Sequence, residues 1–257
     1  MNDLFKDFNF SGPFDSWWPF IIAITVGIIT TLRCYFGGTH CPSKATINGK
    51  TIVITGGSSG IGCQIVKELK KRGGKIIIGS RQPEIAMENI KKEIRESIKE
   101  NEIIIKHLDL ISLKSVREFA DSLQNESKID VLINNAGIGF LEFNKTKEGF
   151  ETHLVTNYLS HFYLTHLLLP KLKASENGRI INVSAQAHYT GELNLGDLNN
   201  EFEYNYNKAF SQSKLALVMM ARHMTRKILK EGAQTIIYMA VAPELKNVSG
   251  KYFRYEV

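Results

Sequence analysis

Apolar positions along most of the chain fall into two alternating rhythms: short β-branched runs, and longer stretches where they return every three or four residues. Thr51 to Thr55 (TIVIT) is the first short run and predicts a strand buried on both faces. Ile61, Ile65 and Leu69 then recur at spacing four and predict a helix. The alternation continues with a strand at Lys75 to Ile78 and a helix turning Met87, Ile90 and Ile94 inward. A strand at Ile103 to Ile105 follows, then a helix with Val116, Phe119, Ala120 and Leu123 inward, and a strand at Asp130 to Ile133. A last helix is expected over Lys214 to Lys230. Such alternation predicts an α/β class, a doubly wound parallel sheet covered on both faces.

One stretch breaks the rhythm. Between Asp15 and Arg33 lie 17 uncharged residues, SWWPFIIAITVGIITTL, which as a helix would reach about 25 Å. That length just spans a thin bilayer such as the endoplasmic reticulum. Trp17 and Trp18 at one end, and Arg33, Tyr35 and Phe36 at the other, suit interfacial anchoring. A cleaved signal peptide and a buried core helix are the alternatives. The first wants a basic start, whereas Asp3, Asp7 and Asp15 outnumber Lys6, and no small-residue cleavage site follows. Cations beyond the stretch (Arg33, Lys44, Lys50) orient the remainder toward the cytosol. Cys34, at the membrane edge, is either a palmitoylation site or a bystander thiol. The expected organisation is a tail and anchor over 1–36, a Gly/Pro/Ser linker over 37–50, and one domain over 51–257.

Composition narrows the class. With 257 residues, 43% hydrophobic and 23% charged, plus 20 Gly and 6 Pro, the chain is neither collagen-like, disordered nor polytopic. The net charge of +6 arises from bases interleaved with acids, as in KKEIRESIKENE at 91–102, which reads as a solvated face and against a nucleic-acid partner. Cys34, Cys41 and Cys63 have neither paired metal spacing nor disulfide density, which favours a reducing compartment.

The candidate chemistry starts where the first strand meets the first helix, in Gly56-Gly57-Ser58-Ser59-Gly60-Ile61-Gly62. A glycine-rich turn there exposes backbone N–H groups at a positive helix end, a geometry that cradles a pyrophosphate. The next strand ends in Gly79-Ser80-Arg81, without the carboxylate that would accept the ribose hydroxyls of NAD. Arg81 can instead pair a 2′-phosphate, so NADP(H) is expected over NAD(H); the alternative is a surface arginine. Asp109 lies past its strand at the carboxyl edge of the sheet, placed either to accept from an adenine amine or to cap a helix.

Thr55-Gly56-x-x-x-Gly60-Ile61-Gly62, Asp109-Leu110, Asn134-Asn135-Ala136-Gly137, Asn157 and Ser213-Lys214-Leu215-Ala216 together resemble the short-chain dehydrogenase/reductase family over roughly residues 38 to 230. The membrane-tethered start suggests its retinol-dehydrogenase-like branch. The resemblance implies a Rossmann fold, a nicotinamide cofactor, and hydride exchange between lipophilic alcohols and carbonyl compounds. It assigns cofactor binding to Gly56, Ser58, Ser59, Gly60, Ile61, Gly62, Asp109, Leu110, Asn135, Ala136, Gly137 and Lys214, beside Arg81.

Chemistry in that family uses a tyrosine that exchanges the proton, a lysine four residues later, a serine that polarises the carbonyl, and an asparagine that holds a relay water. Asn157 and Lys214 match the asparagine and the lysine. Phe210 stands at the tyrosine position and Ala185 at the serine position. A phenyl ring has no proton to give and a methyl group cannot hydrogen-bond an oxyanion. A positioned general acid contributes ~10²–10⁴ in rate and an oxyanion donor ~10²–10³, with losses that do not simply add. Impaired chemistry is therefore expected, with a non-catalytic, cofactor-binding relative as the alternative. Tyr204 and Lys208 also read Tyr-x-x-x-Lys but are expected in a loop, Ser184 should face away from the site, and Ser211 points about 100° round the helix.

After Ile228-Leu229-Lys230 the chain passes straight into Glu231-Gly232-Ala233-Gln234-Thr235, which resembles the family's next helix, and Val248 to Phe253 resembles its closing strand. A strand-plus-loop unit of ~30 residues or more is expected to be missing where Lys230 passes into Glu231, as in a splice form or an incomplete gene model, and full-length transcripts would settle which. The sequons at Asn144, Asn182 and Asn247 should be irrelevant in a cytosolic domain.

Overall fold

The computed structural model describes residues 17–36, 41–94, 98 and 102–227. The junction after Ile228 and the Val248 to Phe253 run, on which the expectation of a missing unit rests, lie outside the described residues. Two units divide the chain, one of residues 1–41 with 254–257 and one of residues 42–253.

In the first unit, Trp18–Phe36 forms helix α1. Apolar side chains cover every side of its described part, and Phe20, Ile21, Ile22, Ile24, Val26, Ile28, Ile29 and Leu32 are all exposed. Thr25, Thr30 and Thr31 turn their hydroxyls back onto carbonyls one turn earlier, which hides their polarity along the helix. Among the described residues no helix is long and apolar enough to cross a membrane.

The second unit is built on five parallel strands, β1 (Thr51–Thr55), β2 (Lys75–Ser80), β3 (Ile103–His107), β4 (Val131–Asn134) and β5 (Arg179–Asn182). Their order is β3-β2-β1-β4-β5, every neighbouring pair parallel. Helices α2 (Gly60–Lys71), α3 (Pro83–Ile94) and α4 (Leu113–Asp121) make the crossovers of the first half. A short turn α5 (Thr152–Leu154) runs through a π-helical turn, Val155–Leu159, into α6 (Ser160–Lys173). A 3-10 turn at Gln186–Thr190 and helix α7 (Tyr206–Lys227) follow β5.

Strand residues alternate between two faces, and the two cores divide accordingly. Ile52, Ile54, Ile76, Ile78, Ile133 and Ile181 pack with Ile65, Val66 and Leu69 of α2 and Ile90 and Ile94 of α3. Val53, Ile77, Leu132 and Ile180 pack on the opposite face with Val116 and Phe119 of α4, Leu164 and Leu168 of α6, and Leu217 and Met220 of α7. The continuous apolar runs therefore reflect a sheet covered on both sides. Because β1 pairs with β2 on one side and β4 on the other, the chain reverses its winding there, and a crevice opens at the carboxyl ends of β1 and β4.

Several expectations are corrected. Ile61 begins the apolar spacing of α2 but is exposed, because it sits in the first turn where the helix meets the crevice. Ala86, not Met87, is the buried position in the first part of α3, and Met87 is only half-buried. Strands β2 and β3 each run two residues past their apolar stretch, since Gly79↔Lys106 and Ser80↔His107 continue the ladder without needing apolar side chains. Helix α7 begins at Tyr206, eight residues before the expected start, and so takes in Lys208.

Candidate functional site

The turn after β1 has the backbone of an anion cradle. Gly56 has a φ of +66° and Gly60 of +51°, both in the left-handed region where a side chain is strained. A Cβ on Gly56 would lie 2.9 Å from Ala136, and one on Gly62 would collide with the Gly56 carbonyl oxygen, whereas nothing lies within 4 Å of a Cβ at Gly60. The turn is thus closed toward the protein and open toward solvent at Gly60. Ser59 is the N-cap of α2 but makes no side-chain cap bond, which leaves the first N–H groups of that helix for an external acceptor.

A buried hydrogen-bond network holds this turn against the loop after β4. Asn135 donates from Nδ2 to the carbonyls of Thr55 (3.0 Å) and Gly56 (3.1 Å). Thr55 Oγ1 accepts the backbone N–H groups of Asn135 and Ala136, each at 3.0 Å. His161, fully buried, donates from Nδ1 to the Asn157 carbonyl at 3.0 Å, so its Nε2, 2.9 Å from Thr55 Oγ1, accepts the threonine proton. Burial pushes the His161 pKa down to about 4, keeping the ring neutral as this tautomer requires.

Asn157 sits in the π-helical turn, wholly buried. Its Oδ1 accepts from the Ile138 N–H (2.8 Å), and its Nδ2 donates to the Ile138 carbonyl (2.9 Å) and to Ser213 Oγ (2.9 Å). The amide therefore clamps the loop after β4 to α7. Histidine 161 was not singled out from sequence; the available signal is a polar residue within the apolar spacing of a helix, four residues after Asn157.

Lys214 on α7 is 6% exposed, and its Nζ donates to the Val183 carbonyl at 3.2 Å. A Cβ on Gly137 would stand 3.0 Å from that Nζ and 3.3 Å from Asn157 Oδ1, so the glycine allows the two side chains to approach the same wall. Desolvation lowers the Lys214 pKa to about 8. One turn earlier, the Phe210 ring lies 5.8 Å from Nζ and 5.5 Å from the Phe140 ring, with His153 at 6.5 Å. No hydroxyl stands at that place. Ala185 offers only a methyl group, while its carbonyl is taken by both nitrogens of His188 that face it, at 3.0 and 2.6 Å.

Ser184 is turned away, its hydroxyl donating to the Lys214 carbonyl. Tyr204 is tied by its hydroxyl to the Leu141 carbonyl (2.8 Å) beside the buried Glu151–His153 pair. Burial and the nearby Glu151 carboxylate raise its pKa to about 12, the wrong direction for proton transfer near neutrality, and Lys208 is exposed on α7.

The crevice is a cleft of about 480 Å³. Gly56, Ser58, Ser59, Ile61 and Gly62 line it together with Asn135, Ala136 and Gly137, which lie against that turn, and with Arg81, Asp109 and Leu110. Asp109 accepts from the Ile111 N–H at 3.1 Å; the cap of α4 is Ser112, so the helix-cap alternative does not hold. Asp109 is the one carboxylate on the described walls, and none stands at the end of β2 beside Arg81. The open cradle at Gly60 and the uncapped α2 terminus fit a dinucleotide's phosphates.

A family model described as short chain dehydrogenase matches residues 50–249. Retinol dehydrogenase 13 of Homo sapiens is 38% identical across 90% of this chain and 84% of its own length. That alignment has 279 positions, more than the 257 residues present, so the relative supplies several tens of residues without counterparts here. Retinol dehydrogenase 12 of Bos taurus is 35% identical over 88% of this chain and 84% of its own length. Among solved structures, an uncharacterized protein from Mycobacterium Paratuberculosis is 37% identical with a TM-score of 0.65, over 75% of this chain and 68% of that one. The Pseudomonas aeruginosa RhlG/NADP active-site complex, at 24% identity and a TM-score of 0.57 over 74% and 71% of the chains, shares the fold.

Proposed function

Since this chain belongs to the short chain dehydrogenase family and is similar to retinol dehydrogenases, we propose that it binds NADP(H) in the cleft at β1 and β4, with hydride-transfer chemistry toward lipophilic alcohols and carbonyls that is impaired in this chain. The observation that carries the reading is the wall made by Asn157, Lys214 and Phe210: the lysine and asparagine are in place, and a phenyl ring stands where the proton donor belongs. A bound nicotinamide supplies the hydride. Residues of this chain would hold its phosphates at the Gly56–Gly62 turn and meet its ribose from Lys214, but Phe210 and Ala185 bring no hydroxyl to the carbonyl oxygen.

Preference for NADP(H) is supported by Arg81 at the end of β2 with no carboxylate beside it among the described lining residues. NADPH should bind at least tenfold more tightly than NADH, and equal affinities would refute the preference. The apolar, exposed side chains of helix α1 support attachment to a membrane, although that helix falls short of a full span; we place it at the endoplasmic reticulum, with the domain facing the cytosol, on the length of the uncharged stretch and the cations after it.

The experiment pairs NADPH titration with turnover of retinal, for the native chain and for the Phe210→Tyr, Ala185→Ser double variant. Binding without turnover in the native chain, and turnover in the variant, supports the reading; robust native turnover contradicts it. A double variant that binds NADPH and stays inactive points instead to the strand-plus-loop unit proposed to be absent after Lys230. A purely cofactor-binding role, acting by interaction, is favoured only in that last outcome.

A further inference from the structure

We propose that Lys214 is a covalent capture site for apolar aldehydes, its Nζ condensing with the carbonyl to an imine. This goes beyond the oxidoreductase reading and needs neither hydride transfer nor bound cofactor.

The geometry that carries it is the position of Nζ. It touches the Val183 carbonyl and stands beside Gly137, and both residues line the cleft, so the buried amine lies directly behind that wall. Among the described residues that carbonyl is its only hydrogen-bond partner and no carboxylate pairs with it. The neighbouring Asn157 amide is fully occupied by Ile138 and Ser213. On the other side Nζ faces the Phe210 ring, where a tyrosine would have offered a hydroxyl. Phe210 continues into Phe140, 68% exposed, and Phe140 into Tyr206 at 6.1 Å, which makes an aromatic approach from the surface to the amine. An apolar aldehyde can lay its chain along these rings with its carbonyl toward Nζ.

The amine must be neutral to attack. With a pKa of about 8, set by desolvation, roughly a tenth of Lys214 is neutral at pH 7, against ~0.03% for an exposed lysine. The titratable groups around it are His161, neutral at that pH, and, behind Phe210, His153 hydrogen-bonded to Glu151. The lone pair of Nζ forms the C–N bond, both amine protons pass to the carbonyl oxygen, and that oxygen leaves as water, giving C=N. No oxidant or reductant is consumed.

The test incubates the full chain in detergent with retinal, reduces imines with cyanoborohydride, and maps adducts by peptide mass spectrometry. The expected result is an adduct on Lys214 at least tenfold above that on any other lysine, with a pH midpoint near 8. It should be lost in Lys214→Arg, retained in Lys208→Arg, and suppressed by saturating NADPH. Both variants are checked for native melting. Adducts spread evenly over surface lysines, or an adduct at Lys214 indifferent to saturating NADPH in a chain that binds it, would overturn the proposal. NADPH binding without an adduct sinks the capture site alone, and an adduct in a chain that binds no NADPH sinks the cofactor reading alone.

Discussion

A few close approaches between residues shape the cofactor turn. The Gly62→Ala variant should weaken NADPH binding at least tenfold and lower the melting temperature, because the added methyl meets the Gly56 carbonyl oxygen that Asn135 holds in place. Titration calorimetry beside thermal melting reads both effects. His161 makes a pH prediction with a definite sign. Its folded pKa of about 4 lies below the ordinary 6.5, so between those values the unfolded chain binds a proton that the folded chain refuses. Its contribution is therefore complete above pH 6.5 and declines as pH falls toward 4, by roughly 3 kcal/mol at most. Urea midpoints measured across that window should fall with pH, and in His161→Gln the slope should flatten. Residues such as Gly56, Gly60 and Lys214 were legible in sequence because few side chains suit their tasks. His161 and the Glu151–His153–Tyr204 cluster were not, since their meaning depends on contacts between segments far apart in the chain.

Elements were legible to the extent that burial writes a period into the chain. Strands β1 to β4 and helices α2 to α4 follow from apolar runs and spacing alone, because a two-sided sheet demands both. The π-helical turn at Val155–Leu159 left no such trace: it is set by the Asn157 clamp on Ile138 and the His161 ring on the Asn157 carbonyl. Replacing Asn157 by Ala should cost about 1–3 kcal/mol, the range for stranding buried polar partners, in this case the Ile138 N–H and carbonyl. Hydrogen exchange at Ile138 should speed up. Replacing Phe119, the largest fully buried side chain of α4, by Ala should cost about 3–5 kcal/mol in chemical denaturation, without altering NADPH contacts.

For the whole molecule, the apolar helix α1 carries the prediction of membrane attachment. The chain should pellet with membranes and resist alkaline carbonate, and removal of residues 1–36 should release it; release of the native chain by carbonate would refute the anchor. The family was legible because several of its motifs lie in the turns that follow β1 and β4, with Asn157 and Lys214 on the helical segments behind them.

The proposed pairing of a cofactor cleft with impaired hydride chemistry reduces to a comparison of rates. The most direct measurement is single-turnover oxidation of NADPH by retinal at saturating protein, for the native chain beside Phe210→Tyr, Ala185→Ser. The prediction is NADPH bound by both, with the double variant at least ~10²-fold faster. Native conversion at a rate equal to or above that of the double variant would contradict the account.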